Sequence, residues 1–193
     1  MKNTYDYIID KYKIDIGNRY IVDVPNMGRN NLAELFAELK FKKGVEVGVD
    51  RGEFSEVICK ANPQAKVYGV DPWSSSAYEP DTYVNEEQKF FDNLYQMSVD
   101  RLAPYKNYTI LRKTSVQAMG DFEDDSLDFV YIDANHDFVN VATDVHGWKK
   151  KVKPGGILSG HDFAYFSYSK FNHVKLVLES YMRCYRMVPL FIA

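Results

Sequence analysis

The stretch Gly44–Trp73, GVEVGVDRGEFSEVICKANPQAKVYGVDPW, contains two short apolar runs separated by a segment with helical features. The first run predicts a strand at Val45–Val49, and the second run predicts a strand at Lys66–Asp71. The residues between them predict a helix from about Glu53 to Ala61, which the pair Asn62-Pro63 ends. A strand, a helix and a second strand in this order are typical of a right-handed crossover between parallel strands.

The same alternation continues along the rest of the chain. Three further strands are predicted in YTILRK, SLDFVYIDA and GILSGHDF, with helices between and after them, and the segment KPGG is expected to end the helix before the last of these strands. SLDFVYIDA is almost continuously apolar, as is usual for a strand that is covered on both faces. The predicted fold class is therefore α/β, with a doubly wound and mostly parallel sheet.

We expect a single domain over residues 1–193, with a helical N-terminal preface at 1–42 and a core at 43–193. In the preface, NNLAELFAELK places its leucines and Phe36 on one helical face, and Asn30 or Asn31 can cap that helix. The terminal segment YRMVPLFIA predicts a short edge strand, because Pro189 is tolerated best at an edge. An open edge invites pairing with another protomer, so a homodimer is also predicted.

The composition narrows the class of protein. The 193 residues include 46% hydrophobic ones and carry a net charge of -3, which gives no general attraction to nucleic acid or to anionic membranes. The two cysteines, Cys59 and Cys184, are far apart, so neither a disulfide framework nor a structural zinc site is expected. No apolar run approaches the length of a membrane span. We expect a cytoplasmic protein that acts on a small molecule.

Residues at the ends of the first two predicted strands indicate a ligand. Gly48 and Gly52 form a turn that leads into a helix, whose N-terminus offers free N–H groups. Asp71 ends the next strand, where a carboxylate can accept hydrogen bonds from both hydroxyls of a ribose. A separation of about twenty residues between such a turn and such an acid is typical of nucleoside-binding sites.

Asp50 distinguishes between the candidate nucleoside ligands. In the dinucleotide fingerprint G-x-G-x-x-G, the middle glycine allows a pyrophosphate to approach, but here that position holds a carboxylate. A carboxylate would repel pyrophosphate, so a ligand without phosphates is favoured, and S-adenosylmethionine is such a ligand. A nicotinamide-dependent oxidoreductase and a non-catalytic scaffold with the same fold remain the alternative interpretations.

The ordered set of segments resembles the class I S-adenosylmethionine-dependent methyltransferases. VEVGVDRGEFS is similar to their first motif, and VYGVDPW is similar to their second motif. The block that begins with SLDFVYIDANHDF and ends with GILSGHDF resembles a subgroup of small O-methyltransferases. This subgroup includes catechol, caffeoyl-CoA and antibiotic-sugar enzymes. The resemblance covers about Gly44 to Phe163. It implies S-adenosylmethionine as the cofactor and a hydroxyl of a sugar or phenolic compound as the acceptor.

The resemblance also implies roles for individual residues of the cofactor site. Glu46, Gly48 and Gly52 would shape the pocket for the methionine part of the cofactor. Ser55 would bond the carboxylate of that part, and Asp71 would hold the ribose hydroxyls. Ser115 would contact the adenine, and Asp133 would lie against the cofactor as well as serving the chemical step.

At the chemical end, the resemblance implies a catalytic histidine and a metal site. His136 stands where the catechol-type enzymes have a lysine base, and a histidine suits proton removal near neutral pH. Asp133, His161 and Asp162 match their magnesium ligands, with histidine in place of one oxygen ligand. That donor set would suit manganese, iron or zinc at least as well as magnesium. The resemblance therefore leaves two alternatives open, a site with a divalent metal ion and a site without one. The irregular stretch 74–83 is expected to cover the acceptor.

Overall fold

The computed structural model describes residues 3–77, 85–164, 172–187 and 189–193. In chain order the elements are α1 (Thr4–Tyr12), β1 (Ile21–Asp23), α2 (Arg29–Glu38), β2 (Lys43–Val47), α3 (Glu53–Ala61), β3 (Lys66–Val70), α4 (Gln88–Leu102), β4 (Tyr108–Leu111), α5 (Ser115–Met119), β5 (Leu127–Ile132), α6 (Phe138–Lys151), β6 (Val152–Gly160), α7 (Val174–Tyr185) and β7 (Leu190–Ile192), with a 3-10 turn at Ser75–Ala77. The expected acceptor cover at 74–83 lies outside the described residues from position 78 onward.

The main sheet has five parallel strands in the spatial order β4-β3-β2-β5-β6. The chain winds outward in one direction from β2 to β4 and then returns to the other side of β2 with β5, so the strand order reverses between β2 and β5. This order confirms the predicted α/β, doubly wound sheet. It also brings the carboxyl ends of all five strands to one edge, where a crevice forms at the reversal.

The central strand β5 is buried on both faces, as its continuous apolar run predicts. Phe129 and Tyr131 pack on one side, where the Phe36 ring of α2 stacks on Phe129 with 4.1 Å between ring centroids. Val130 faces the opposite side and packs in the same cluster as Trp148 of α6. The site at the strand ends therefore rests on a rigid two-sided core.

The helix boundaries follow local signals, with one difference from the prediction. As predicted, α3 spans Glu53–Ala61. Asp137 caps α6 by accepting a hydrogen bond from the Val139 amide at 2.9 Å. At α2 the predicted cap by Asn30 or Asn31 differs from the structure, because Gly28 holds the cap position. The Asn31 side chain instead accepts a hydrogen bond from the Gly28 amide at 3.1 Å. Among the described residues, no helix combines the length and the apolar character that crossing a bilayer requires.

The start of β6 also differs from the sequence prediction. The segment KPGG does not separate α6 from β6, because the helix ends at Lys151 and the strand begins at the next residue. The pairing of β5 with β6 shifts between Leu127 and Phe129, so the strand absorbs the proline and glycines as a local irregularity.

The C-terminal strand β7 exists as predicted but does not extend the main sheet. It pairs in parallel with β1 of the preface, with Ile21 opposite Leu190, in a separate two-stranded sheet. The preface, which the sequence predicted to be helical, therefore contains a strand as well. Dimerisation through the C-terminal edge stays a prediction.

Candidate active site

A cavity of about 380 Å³ opens at the carboxyl ends of the central strands. Its lining comes from the ends of β2, β3 and β5, from the start of α5, from α6 and from the first residue of α2. This is the place where the strand order reverses, as expected for a ligand site in an open α/β sheet. Most of the residues that the sequence predicted for the cofactor meet at this cavity.

The glycine turn after β2 is required by close packing of the backbone. Gly48 has φ +89°, and a Cβ built on it would lie 1.9 Å from the carbonyl oxygen of Asp133. Gly52 has φ +74° and caps α3, where a Cβ would approach the Leu102 side chain to 2.9 Å. The two glycines therefore let the β5 loop and α4 pack against the turn, and Gly48 lines the cavity.

Asp71 is buried and holds this turn through its carboxylate. One oxygen accepts hydrogen bonds from the backbone amides of Val49 and Asp50 at 3.0 and 3.1 Å, and the other accepts from the amide of Trp73 at 2.9 Å. These three bonds tie the end of β3 to the turn after β2. Asp71 lines the cavity, as its predicted role with a ribose requires.

Ser55 lies away from the cavity surface, and Glu46 lines the cavity beside it. The Ser55 hydroxyl is fully buried, donates a hydrogen bond to Glu46 Oε2 and lies 2.8 Å from the Tyr108 hydroxyl. Burial raises the pKa of Glu46 to about 8, against the opposing effect of the hydrogen bond from Ser55. The structure thus places Ser55 behind Glu46, which differs from the sequence prediction that Ser55 contacts the ligand.

Ser115 has a similar arrangement at the opposite end of the cavity. Its hydroxyl donates a hydrogen bond to Asp144 Oδ1 at 2.5 Å and accepts one from Trp148 Nε1 at 2.8 Å. Asp144 is buried, and burial raises its pKa to about 6. Both Ser115 and Asp144 line the cavity, so the sequence prediction located this end of the site without its carboxylate.

An acid and histidine cluster lies at the chemical end of the cavity, where Asp133 and His136 belong to the lining and Asp162 lies behind His136. His136 Nε2 lies 2.8 Å from Asp162 Oδ2 and 4.0 Å from Asp133 Oδ1. One ligating atom from each of these three residues lies within 4.8 Å of the others, so the set could hold a metal ion. Burial raises the pKa of Asp133, whereas hydrogen bonds to His136 and then to His161 lower the pKa of Asp162.

His161 lies beside this cluster but is not part of it. Its Nδ1 is 3.2 Å from Asp162 Oδ1, and this interaction raises the pKa of His161. Its side chain is half exposed, and it does not line the cavity. The structure brings Asp133 and Asp162 together as predicted, but His136 completes the three-residue group in place of His161.

Two residues at the cavity were missed by sequence reasoning. Arg29, the first residue of α2, places its guanidinium 5.7 Å from the centre of the Phe54 ring and lines the cavity beside Glu46. Its position depends on how the preface packs, and no local sequence signal indicates it. The sequence does indicate Asp144, because this residue falls at helical spacing on the buried face of α6. That face consists of Val141, Asp144, Val145 and Trp148. A carboxylate within such a face indicates a polar partner or a ligand.

Comparison with known proteins identifies the family. A family model described as "Methyltransferase domain" matches residues 45–163. The protein y4gI of Sinorhizobium fredii (strain NBRC 101917 / NGR234), named as uncharacterized, is 25% identical over 130 residues. That match covers 64% of this chain and 13% of the relative, so the chain spans only a small part of that relative's length.

Solved structures with the same fold include several methyltransferases. An O-methyltransferase from Bacillus cereus in complex with SAH is 14% identical, with a TM-score of 0.57 over 95% of this chain and 79% of that one. The cofactor-bound Rv0187 from MTB is 12% identical, with a TM-score of 0.56 over 91% and 76% of the two chains. An O-methyltransferase family protein from Burkholderia thailandensis is 13% identical, with a TM-score of 0.52 over 84% and 43%.

The family match covers most of β2, the glycine turn, Asp71 and the acid and histidine cluster, so it includes most of the residues that line the cavity. The sheet order and the site at its reversal agree with it. The chain therefore belongs to the methyltransferase-domain family and has the fold of the class I S-adenosylmethionine-dependent methyltransferases that its sequence resembles.

Proposed function

We propose that this protein transfers a methyl group from S-adenosylmethionine to a hydroxyl oxygen of a small acceptor, such as a sugar or a phenolic compound. The observation that carries the proposal is one continuous cavity. It runs from Asp71 and Ser115, past the Gly48 turn, to Asp133 and His136. Its two ends match a nucleoside site and a proton-transfer site, and the cofactor of methyl transfer would connect them.

The charge of the lining supports a cationic ligand without phosphates. Asp71 and Asp133 contribute carboxyl groups, and a sulfonium near them gains favourable electrostatic energy. Asp50 lies in the turn with one carboxylate oxygen buried and without a hydrogen-bond partner among the described residues. Burial raises the pKa of Asp50, which means that its ionised form is already unfavourable there. The negative charge of a pyrophosphate at this turn would disfavour the ionised carboxylate further. These features disfavour a nicotinamide dinucleotide.

The proposed cofactor position follows the lining residues. The ribose hydroxyls would donate to Asp71, the adenine would lie at the start of α5, and the methionine part would lie over the Gly48 turn towards Glu46. Arg29 is a cation at that last end, suited to bind the methionine carboxylate. In this position the methyl group would point to the acid and histidine cluster.

In the proposed reaction, the acceptor oxygen attacks the methyl carbon as the carbon–sulfur bond breaks, which yields a methyl ether and S-adenosylhomocysteine. The hydroxyl proton passes to a ring nitrogen of His136. In the tautomer whose Nε2 proton is donated to Asp162, the ring nitrogen that takes the hydroxyl proton would be Nδ1. Aligning the oxygen and the methyl carbon at about 3 Å would be the main contribution of the rigid floor.

A divalent metal ion fits the same cluster. Asp133 and Asp162 offer carboxylate oxygens and His136 offers an imidazole nitrogen, a set that suits manganese, iron or zinc at least as well as magnesium. When bound, such an ion would polarise the acceptor hydroxyl as a Lewis acid. Asp162 then has two alternative tasks, orienting His136 or holding the ion.

Calorimetric titration with S-adenosylmethionine, S-adenosylhomocysteine and NAD⁺ tests the proposal. We expect the wild type to bind the first two ligands, and we expect the variant Asp71→Asn to bind both of them with lower affinity. The control Asp121→Asn changes a surface carboxylate that pairs with Lys113 and should leave both affinities unchanged. Binding of NAD⁺ alone would favour an oxidoreductase. Cofactor binding without transfer of labelled methyl groups to any phenol or sugar would favour a non-catalytic scaffold.

A further inference from the structure

We propose that Asp144 of α6 recognises the 6-amino group of the ligand's purine, so that selectivity for adenine resides in this carboxylate rather than in Ser115. The assignment rests on the proposed function, because it supposes that S-adenosylmethionine occupies the cavity. It adds a specificity-determining residue on α6, a helix to which the sequence analysis assigned no site residue.

The position of Asp144 is unusual for an acidic residue. It is 4% exposed and lies on the face of α6 that also buries Val141, Val145 and Trp148. A carboxylate in such a place costs free energy unless it is hydrogen-bonded. It nevertheless lines the cavity, beside the segment Thr114–Val116 that follows β4. It is therefore buried by protein on one side and open to a ligand on the other.

A short hydrogen-bond chain fixes the orientation of this carboxylate. Trp148 Nε1 donates to Ser115 Oγ at 2.8 Å, and Ser115 Oγ donates to Asp144 Oδ1 at 2.5 Å. The serine hydroxyl has one proton, and that proton is used in the bond to Asp144. Ser115 thus has no donor left for a purine.

The second carboxylate oxygen of Asp144 is the group that remains for the ligand. Oδ2 accepts no hydrogen bond from the described residues, and it is not among their buried, unpaired side-chain atoms. A carboxylate oxygen can only accept hydrogen bonds, so it favours a ligand that presents a donor. The 6-amino group of adenine is such a donor, whereas hypoxanthine has a carbonyl oxygen at the same position.

The order of the strands indicates which part of the ligand lies here. Asp71, the proposed ribose site, ends β3, and its neighbour in the sheet is β4, which leads directly into Thr114 and Ser115. Asp144 Oδ1 lies 2.5 Å from the hydroxyl of Ser115, on the β4 side of the ribose site. The base of the nucleoside, and not its sulfonium end, is therefore the part within reach.

The test compares the affinities of S-adenosylhomocysteine and S-inosylhomocysteine, its 6-oxo analogue, by calorimetry. We expect the wild type to bind the adenine compound at least tenfold more tightly. In Asp144→Asn the side-chain amide can donate to the 6-oxo group, and the ratio should fall to near one or invert. The control Trp148→Phe removes one bond of the chain and lowers stability, yet it should keep the preference for adenine.

Each outcome decides the assignment. An unchanged ratio in Asp144→Asn, or equal binding of the two compounds by the wild type, overturns it. If Asp144→Asn does not fold, equal binding of the two compounds by the wild type still overturns the assignment. Failure of the wild type to bind either compound overturns the proposed function itself, and this assignment with it, whereas binding without selectivity overturns this assignment alone.

Discussion

His136 and Asp162 form a hydrogen-bonded pair across two strand ends, with Nε2 and Oδ2 2.8 Å apart. Their side chains are 24% and 20% exposed, so the pair is accessible to a ligand but shielded from bulk water. Hydrogen bonds to His136 and then to His161 lower the pKa of Asp162, which keeps it ionised at neutral pH. An ionised partner fixes the ring orientation of His136 and stabilises its protonated form.

The first prediction follows from this pair. His136→Ala should lower the rate of methyl transfer by about 10²–10⁴-fold, the usual contribution of a positioned base, while the affinity for S-adenosylhomocysteine changes little. Steady-state assays and calorimetry measure the two effects separately. The control His146→Gln changes a histidine that contacts Tyr181 on the outer side of α6 and should retain full activity. An unaltered rate in His136→Ala would remove this residue from the base role.

The second prediction concerns the metal ligands. If the cluster binds an ion, Mn²⁺ should bind at one site, and electron paramagnetic resonance should detect it. Asp162→Asn should abolish that binding, because it removes one of the three grouped donors. His161→Gln should preserve it, since the His161 side chain lies outside the group. Loss of binding in His161→Gln with retention in His136→Gln would restore the ligand set that the sequence predicted.

The sequence was informative where local chemistry decides the structure. The apolar run of β5, the glycine turn and Asp71 could each be interpreted from neighbouring residues, and together they predicted the sheet and the floor of the cavity. The side-chain partners of Ser55 and Ser115 could not be predicted, because each serine donates to a carboxylate on another element, Glu46 or Asp144. Such partners depend on how the helices and strands pack against each other, and the spacing of residues along the chain does not specify that packing.

The pairing of β7 with β1 illustrates the same limit for the backbone. Each strand has three residues, and nothing in its own sequence selects a partner. The pairing joins position 21 to position 190, nearly the whole length of the chain apart. Arg29 reaches the cavity for a similar reason, since α2 places it there through the contacts of its buried face with α3.

The third prediction tests Arg29. Because the Ser55 hydroxyl is used in a hydrogen bond to Glu46, the methionine carboxylate needs another partner, and Arg29 is a cation at that end of the cavity. Arg29→Gln should lower the affinity for S-adenosylhomocysteine at least tenfold. It should leave the affinity for 5′-methylthioadenosine unchanged, because that ligand lacks the carboxylate. Equal weakening of both ligands, measured by calorimetry, would contradict a carboxylate-specific role.

The fourth prediction concerns the Gly48 turn. Gly48→Ala would force a Cβ to within 1.9 Å of the Asp133 carbonyl oxygen at a positive φ, so the β5 loop would have to move. We expect a large loss of stability, measured by urea unfolding, together with loss of cofactor binding. Gly120→Ala is the matched control, because its Cβ would lie 3.4 Å from its nearest neighbour, the Gln117 carbonyl oxygen. Similar stability of the two variants would show that the close approach is not needed.

The fifth prediction is a pH dependence of stability that comes from Glu46. Burial raises its pKa in the folded protein to about 8, from an ordinary value of 4.5. The folded state therefore keeps a proton that the unfolded chain releases above about pH 4.5. The contribution of Glu46 to stability is fully present below that pH, and it is lost as the pH rises towards 8. One such proton gives a slope of at most about 1.4 kcal/mol per pH unit.

Glu46→Gln separates this effect from the other groups that titrate in the same direction. Glutamine resembles the protonated side chain and can still accept the hydrogen bond from Ser55, so the variant should lose less stability than the wild type between pH 6 and 8. Asp144, whose pKa burial raises to about 6, and His161, whose pKa Asp162 raises, remain in both proteins and cancel in the difference. Urea unfolding at several pH values measures the two curves, with the exposed Glu123→Gln as the control. Parallel curves for the wild type and Glu46→Gln would mean that Glu46 is already ionised in the folded protein, and its carboxylate would then face the sulfonium as a full negative charge throughout this range.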